Sequence, residues 1–202
     1  MPTINSLFAA TVERFANRIA LIEPTAKDVM STLTYGELQA RAQGFAGYLQ
    51  NLQIGKNDNV LIWSPSRSDW LIAYLGALAI GAVVVPLDVN SREDFLMRVA
   101  ETTNARLLIT SQKQHAALKQ VSLPLVDIDA LPQEPLDTTK LPAINEDDLA
   151  EIVFTSGTTG QPKGVMLSHG NIASNASTAV TFISMRAEDR GRLAFVHPEN
   201  PR

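Results

Sequence analysis

The sequence contains no cysteine and only three histidines among its 202 residues. Without thiols the chain can form neither a disulfide nor a thiolate metal site. The histidines, His115, His169 and His197, lie far apart and lack the spacing of metal ligands, so we predict no metal site within the chain. A chain without disulfides suits a reducing compartment, and we predict a cytoplasmic protein.

The sequence also lacks an excess of positive charge. Its 17 Lys and Arg residues against 21 Asp and Glu residues give a net charge of −4, so we predict no nucleic-acid partner. The amino terminus has no basic segment followed by an apolar one, so we predict no signal peptide. With 45% hydrophobic and 19% charged residues, the composition is that of an ordinary globular protein.

One uncharged run, from Trp70 to Leu87, is eighteen residues long and approaches the length of a membrane span. Gly76 and Gly81 interrupt this run, and its small residues suit close packing of a helix on a sheet. We therefore predict a buried helix to about Ile80, a stop at Gly81 and a short buried strand over 82–85. A membrane helix is the alternative, but we expect no membrane contact.

The rest of the sequence alternates between strand-like and helix-like patterns. Thr34 and Glu37 have the spacing of a capping box, and apolar residues then repeat at helical intervals until Gly55 closes the helix. Residues 25–31 are polar and indicate a turn. Strands alternating with helices predict a layered α/β fold in which helices flank a largely parallel β-sheet. Further helices are predicted over 4–16, 66–80, 91–100 and 169–182, with a short one ending at His115, and strands over 19–23, 60–63, 106–110, 123–128, 152–154 and 165–167.

Composition divides the chain into four parts. Between residues 129 and 148, three prolines lie among acidic residues with few apolar neighbours, which indicates an exposed linker. We therefore predict an amino-terminal α/β subdomain over 1–128, this linker over 129–148, a hairpin with its following helix over 149–193, and an atypical tail over 194–202.

The most informative stretch runs from Ile152 to His169. An apolar strand is followed by four hydroxyl residues and two glycines in six positions, then by Lys163 and a second apolar strand. Glycines let the backbone approach an anion, successive amides form an anion-binding nest, and hydroxyls and a lysine add donors. This composition predicts a polyphosphate-binding loop. Its candidate ligands are Thr155, Ser156, Gly157, Thr158, Thr159, Gly160 and Lys163.

Several polar residues allow other interpretations. The loop is not a Walker A loop, because Pro162 stands where that motif requires glycine, and a glycine- and threonine-rich hairpin without a ligand is the alternative. For His169 we expect only a hydrogen bond to a backbone carbonyl. Arg67 and Asp69 are interpreted as a solvated helix start, and Asp148 as part of a solvated turn.

The string from Thr155 to Gly164, continuing to Asn171, resembles the phosphate-loop signature of the adenylate-forming superfamily. That superfamily includes acyl-CoA synthetases, the adenylation domains of peptide synthetases, and luciferases. Residues 33–38 and 81–88 resemble two earlier segments of these enzymes, and residues 4–193 can be placed in order on the N-terminal part of their large domain. The resemblance implies that the loop holds the β- and γ-phosphates of ATP while a carboxylate attacks the α-phosphate.

The resemblance implies an AMP-forming acid–CoA ligase whose substrates are ATP, with Mg²⁺ bound through it, an acyl or fatty carboxylate, and coenzyme A. It also implies that the adenine pocket, the acyl pocket and the catalytic lysine belong to a C-terminal part missing from residues 1–202. We therefore assign no catalytic residue and expect these residues alone to be inactive. Around His197 the tail departs from the family pattern, so His197 receives no role. A non-catalytic nucleotide-binding or interaction module is the alternative from another class.

Overall fold

A computed structural model of the protein describes residues 1–26, 29–119, 121–155 and 163–182. The helices are α1 (Ile4–Phe15), α2 (Tyr35–Asn51), α3 (Ser68–Ala79), α4 (Glu93–Thr102), α5 (Gln112–His115) and α6 (His169–Phe182). The strands are β1 (Ile19–Ala26), β2 (Val29–Thr34), β3 (Asn59–Trp63), β4 (Val83–Leu87), β5 (Leu107–Thr110), β6 (Leu125–Asp127), β7 (Leu149–Thr155) and β8 (Lys163–Ser168). Short 3-10 turns lie at Ile128–Ala130 and Thr138–Lys140.

The described strands form one small and one large sheet. Strands β1 and β2 pair as an antiparallel hairpin, and the large sheet has the order β6-β5-β3-β4-β7-β8. Strands β3 to β7 are mutually parallel, and β8 runs antiparallel to β7. Their carboxyl ends therefore share one edge, here called the carboxyl edge, opposite the amino edge. The predicted α/β fold with a largely parallel sheet is confirmed.

Apolar side chains cover both faces of the large sheet. On one face Phe45 of α2 and Ile72 of α3 are fully buried. On the other face Leu96 of α4 packs with Leu61 of β3, and both are fully buried. Strands covered on both faces are expected to be largely apolar, as residues 60–63 of β3 and residues 107–109 of β5 are. Each large apolar side chain buried in this way contributes roughly 1.5–3 kcal/mol.

The local signals at Thr34 and Gly81 form the structures that they predict. The Glu37 amide donates to Thr34 Oγ1 at 3.2 Å, and the Thr34 amide donates to Glu37 Oε2 at 2.8 Å. Hydrogen bonds from Thr34 lower the pKa of the Glu37 carboxyl. Gly81 has a φ of 75°, which is the left-handed conformation that ends a helix and favours glycine. Both predictions are confirmed.

The uncharged run forms α3 and β4, separated by the turn at Gly81. None of the helices in the described ranges has the length and apolar content required to span a bilayer.

Two predicted boundaries are wrong. Residues 25–31 do not form one long turn, because β1 continues to Ala26 and β2 begins at Val29, opposite it. Helix α2 does not run to Gly55 but ends at Asn51, and Gln53 adopts the left-handed conformation with a φ of 58°. Backbone pairing with a neighbouring strand and a non-glycine residue in a left-handed turn override the local composition.

Residues 129–148, predicted to be an exposed linker, contain no buried residue, but residues 133–137 lie along helix α2; we call residues 129–148 the strap. The Glu134 amide donates to the Gly44 carbonyl at 2.9 Å. A Cβ added to Gly47 would lie 2.7 Å from the carbonyl oxygen of Pro135, so only glycine leaves room for the strap. Close backbone approach of this kind is a standard role of glycine.

Further bonds hold the strap along its length. Gln50 and Asp137 exchange two hydrogen bonds, of 3.2 Å and 3.0 Å, between the Gln50 side chain and the Asp137 backbone. The Lys56 ammonium donates to the Ala143 carbonyl at 2.8 Å. Leu136 packs, partly buried, against the core. The strap therefore covers the core even though many of its side chains are polar and exposed.

Candidate functional site

The β7–β8 hairpin brings the two ends of the predicted phosphate loop together. Thr155, the last residue of β7, pairs with Lys163, the first residue of β8. Because β7 is parallel to β4, the loop leaves the sheet at the carboxyl edge, where β3, β4 and β5 also end. In open parallel sheets, ligands bind at this edge.

Of the predicted loop residues, the structure describes the pairing of Thr155 and the position of Lys163. The candidates Ser156, Gly157, Thr158, Thr159 and Gly160 lie outside the described residues. The Lys163 side chain is exposed at the loop end of the hairpin. Within the described ranges no carboxylate lies within ion-pair distance of its ammonium group.

Arg67, which follows β3 at the same edge, forms ion pairs with carboxylates. Arg67 contacts Asp69 at 2.6 Å and Asp129 at 2.5 Å, and Arg41 contacts the other oxygen of Asp69 at 2.6 Å. Burial opposes the charge of Arg67, but the two carboxylates outweigh burial and raise the pKa of its guanidinium. The predicted helix start is confirmed, since Arg67 is the N-cap of α3, but its side chain and that of Asp69 form an ion-pair network that Asp129, 62 residues away, completes.

A half-buried carboxyl group joins the loop-bearing hairpin to helix α3. The Tyr74 hydroxyl donates to Glu151 Oε2 of β7 at 2.9 Å, and the Tyr74 ring stacks on Trp70 with 5.3 Å between centroids. Burial raises the pKa of the Tyr74 hydroxyl, and the nearby Glu151 charge raises it further. Burial also raises the pKa of Glu151, which the bond from Tyr74 partly offsets. We did not single out either residue from the sequence, although an acidic residue inside an apolar strand is a signal of a buried polar pair.

His169 lies at the amino edge, at the opposite end of the hairpin from the loop. Its imidazole is fully buried, and neither ring nitrogen has a hydrogen-bond partner in the part of the chain that the structure describes. The expected side-chain bond to a backbone carbonyl is therefore wrong; the backbone amide of His169 donates to the Asp148 carbonyl instead, at 2.9 Å. Burial lowers the pKa of His169, Asp148 opposes that change, and Lys56 adds to it.

Asp148 belongs to this amino-edge cluster, and its side chain is ion-paired within a turn. Its Oδ2 accepts from Lys56 Nζ at 2.7 Å and from the Asn145 amide at 2.7 Å. These bonds, the Asn145 amide first, lower the pKa of Asp148. The predicted turn is confirmed, since the Asp148 amide donates to the Asn145 carbonyl at 3.2 Å, but the sequence did not indicate the lysine partner, which lies 92 residues away.

No group of three or more metal-binding side chains is found in residues 1–26, 29–119, 121–155 and 163–182. A Mg²⁺ ion at the carboxyl edge would therefore need ligands from the phosphates of a nucleotide or from residues outside these ranges.

A family model described as AMP-binding enzyme matches residues 8–198. The chain belongs to this family. It is 34% identical over 174 residues to tyrocidine synthase 3 of Brevibacillus parabrevis, an alignment that covers 84% of this chain and 3% of that protein. It is 28% identical to D-alanine–D-alanyl carrier protein ligase of Streptococcus equi subsp. equi, over 83% of this chain and 31% of the ligase. The predicted membership of the adenylate-forming superfamily is confirmed.

Solved structures of this family have the same fold. The N-terminal subdomain of Klebsiella oxytoca NpsA, in complex with 3-hydroxybenzoyl-AMSN, superposes with a TM-score of 0.71 at 29% identity. The match covers 84% of this chain and 41% of that one. The chain therefore spans less than half the length of these relatives.

Proposed function

We propose that this chain is the phosphate-binding part of an ATP-dependent, AMP-forming ligase. Thr155, Ser156, Gly157, Thr158, Thr159, Gly160 and Lys163 would bind the β- and γ-phosphates of ATP. The observation that carries the proposal is the position of the loop ends at the carboxyl edge, with the exposed and unpaired Lys163 beside them among the described residues. A loop of amides and hydroxyls next to a free cation fits a polyphosphate.

The proposed reaction is attack of a carboxylate oxygen on the α-phosphorus of ATP. An O–P bond forms to give the acyl-adenylate, and the bond to the β-phosphate oxygen breaks to release pyrophosphate. The loop amides, the hydroxyls and Lys163 would stabilise the negative charge that grows on the departing pyrophosphate. Mg²⁺ would enter with ATP and neutralise part of the phosphate charge.

The thiol that receives the acyl group has two candidates. The sequence resemblance favours coenzyme A, with an acyl or fatty carboxylate as the acid. The second candidate is the thiol of a carrier protein, which is supported by the name of the D-alanyl carrier protein ligase among the relatives. Incubating the complete protein with ATP and radiolabelled acids, then with coenzyme A or a phosphopantetheinylated carrier protein, distinguishes the two by the thioester formed.

Kinetics of the complete protein that carries this chain test the loop. We expect Lys163→Ala or Thr159→Val to raise the KM for ATP or to lower kcat, with little change in the KM for the acid. The factor should correspond to a free energy on the order of 1–3 kcal/mol. Lys113→Ala, which removes another exposed lysine, is the control and should leave ATP kinetics unchanged. If both loop variants leave ATP kinetics unchanged, the phosphate assignment is wrong even though the family is right.

Residues 1–202 by themselves give a second test. If the adenine pocket, the acyl pocket and the catalytic lysine lie outside these residues, the purified chain should not exchange pyrophosphate into ATP with any carboxylate. Exchange above the no-enzyme control would overturn the proposal of a partial enzyme. Absence of exchange also from the complete protein would favour the non-catalytic nucleotide-binding or interaction module.

The domain boundaries at residues 128, 148 and 193 and the cytoplasmic location are also proposals.

A further inference from the structure

The hairpin that carries the phosphate loop joins the rest of the sheet through the pairing of β7 with β4. Strand β3 pairs with β4 along its whole length, from Asn59 opposite Val83 to Trp63 opposite Leu87. In the described part of the chain, the parallel register between β4 and β7 consists of Val84 opposite Glu151. Beyond this point β7 continues to the loop paired with β8, and Ile152 and Phe154 pack, partly buried, against the core.

A side-chain hydrogen bond reinforces the connection at the same residue. The Tyr74 hydroxyl donates to Glu151 Oε2 at 2.9 Å, and so ties β7 to helix α3, 77 residues earlier in the chain. Tyr74 is buried and its ring stacks on Trp70 with an angle of 14° between the planes, so the hydroxyl is held in place. A bond to a carboxylate from a donor that cannot move is stronger and more directional than a bond between exposed groups.

The position of this bond relates it to the loop. Thr155, where the loop begins, follows Glu151 by four residues, a distance of about 13 Å along an extended strand. A small change in the direction of β7 at Glu151 would therefore move the loop end sideways over the carboxyl edge. Misplacement of phosphate ligands by about 1 Å is enough to impair a reaction that depends on positioning.

We propose that Tyr74 and Glu151 are positioning residues, which fix the direction of the β7–β8 hairpin and thereby hold the phosphate loop in its ATP-binding position. This inference rests on the proposed function of the loop. Neither side chain contacts the phosphates; both act through the hairpin. A purely structural role would require only that the buried hydroxyl is hydrogen-bonded, and its loss would then lower stability without changing the kinetics of the folded protein.

Tyr74→Phe in the complete protein tests the proposal, because it removes the hydroxyl and keeps the ring that stacks on Trp70. We expect the KM for ATP to rise on the order of threefold to tenfold, the range expected when one hydrogen bond is lost, with the KM for the acid unchanged. Tyr48→Phe is the matched control, since it removes the hydroxyl of another partly buried tyrosine, which stacks on Phe45 in α2. Its ATP kinetics should equal those of the unmutated protein.

Two changes at Glu151 separate positioning from stability. Glu151→Gln keeps an oxygen that accepts from Tyr74 and should retain a KM for ATP close to the original value. Glu151→Ala should raise the KM for ATP as much as Tyr74→Phe does. The double variant Tyr74→Phe, Glu151→Ala should have the same KM for ATP as either single variant, because both changes remove the same hydrogen bond. Additive effects of the two changes, or a lower melting temperature with an unchanged KM for ATP, would overturn the proposal.

Limited proteolysis distinguishes failure of this inference from failure of the proposed function. Trypsin cleaves after the exposed Lys163, and the new amino terminus at Gly164 can be followed by mass spectrometry. Mg-ATP should protect this bond in the unmutated protein, and Tyr74→Phe should raise the ATP concentration for half-protection by the same factor as the KM. If ATP gives no protection in the unmutated protein, the proposed function fails and this inference with it. If ATP protects both proteins at equal concentrations, only the positioning role is wrong.

Discussion

The parallel strands and the β7–β8 hairpin belong to one sheet but are built differently. Strand β5 is buried along its whole length, whereas the first four residues of β8 are exposed, with Met166 at 66% exposure. Strands β3, β4 and β5 are covered on both faces, whereas β8 of the hairpin extends beyond that cover. The buried parallel strands therefore supply most of the stability, while the hairpin holds the loop at the carboxyl edge.

Truncation of one side chain in each region should give the largest difference in the free energy of unfolding. Leu61→Ala removes a fully buried side chain of β3 and should lower the free energy of unfolding by about 2–5 kcal/mol, because a cavity remains. Met166→Ala removes an exposed side chain of β8 and should change it by no more than about 0.5 kcal/mol. Urea unfolding followed by circular dichroism measures both values. Equal costs would show that the hairpin is part of the core in solution.

The sequence predicted contacts between neighbouring residues well and contacts between distant residues poorly. The Thr34–Glu37 capping box and the Gly81 turn were predictable, because the groups that form them are close in sequence. The hydrogen bond between Tyr74 and Glu151 joins residues that are 77 positions apart, and the sequence around either residue does not indicate the other as its partner. The candidate loop was predictable from its composition, but the position of its ends at the carboxyl edge depends on sheet order.

Glycine substitutions test whether the strap belongs to the stable part of the molecule. Gly47→Ala should lower the free energy of unfolding by about 1–3 kcal/mol, because its Cβ would meet the backbone of the strap, which cannot move aside as a side chain could. Gly55→Ala is the matched control, since a Cβ there meets nothing within 4 Å and its effect should be within a few tenths of a kcal/mol. Urea unfolding of both variants gives the comparison. A Gly47→Ala protein as stable as the control would mean that the strap is not held against α2.

The hairpin itself is not uniform, because its amino-edge end is buried around His169. The pKa of His169 is lowered in the folded protein, first by burial, so the folded state binds a proton less readily than the unfolded chain. Above an unfolded pKa of about 6.5 both states are neutral and His169 contributes no pH dependence. As the pH falls below that value, the unfolded chain takes up a proton that the folded protein does not, so stability decreases until the folded pKa is reached.

This pH dependence is the smallest effect that we predict, with a slope of at most about 1.4 kcal/mol per pH unit. Urea unfolding at pH 7.5 and pH 5.5 should show a smaller loss of stability on acidification in His169→Gln than in the unmutated protein. His115→Gln, which replaces an exposed histidine, should keep the original loss. Using the difference between two pH values cancels the constant cost of each substitution. Because His169 lies at the far end of the hairpin from the loop, its variant should also keep the original KM for ATP at pH 7.5. If His169→Gln loses as much stability as the unmutated protein on acidification, then the imidazole is not buried as a neutral group, and the amino-edge end of the hairpin is as open as β8.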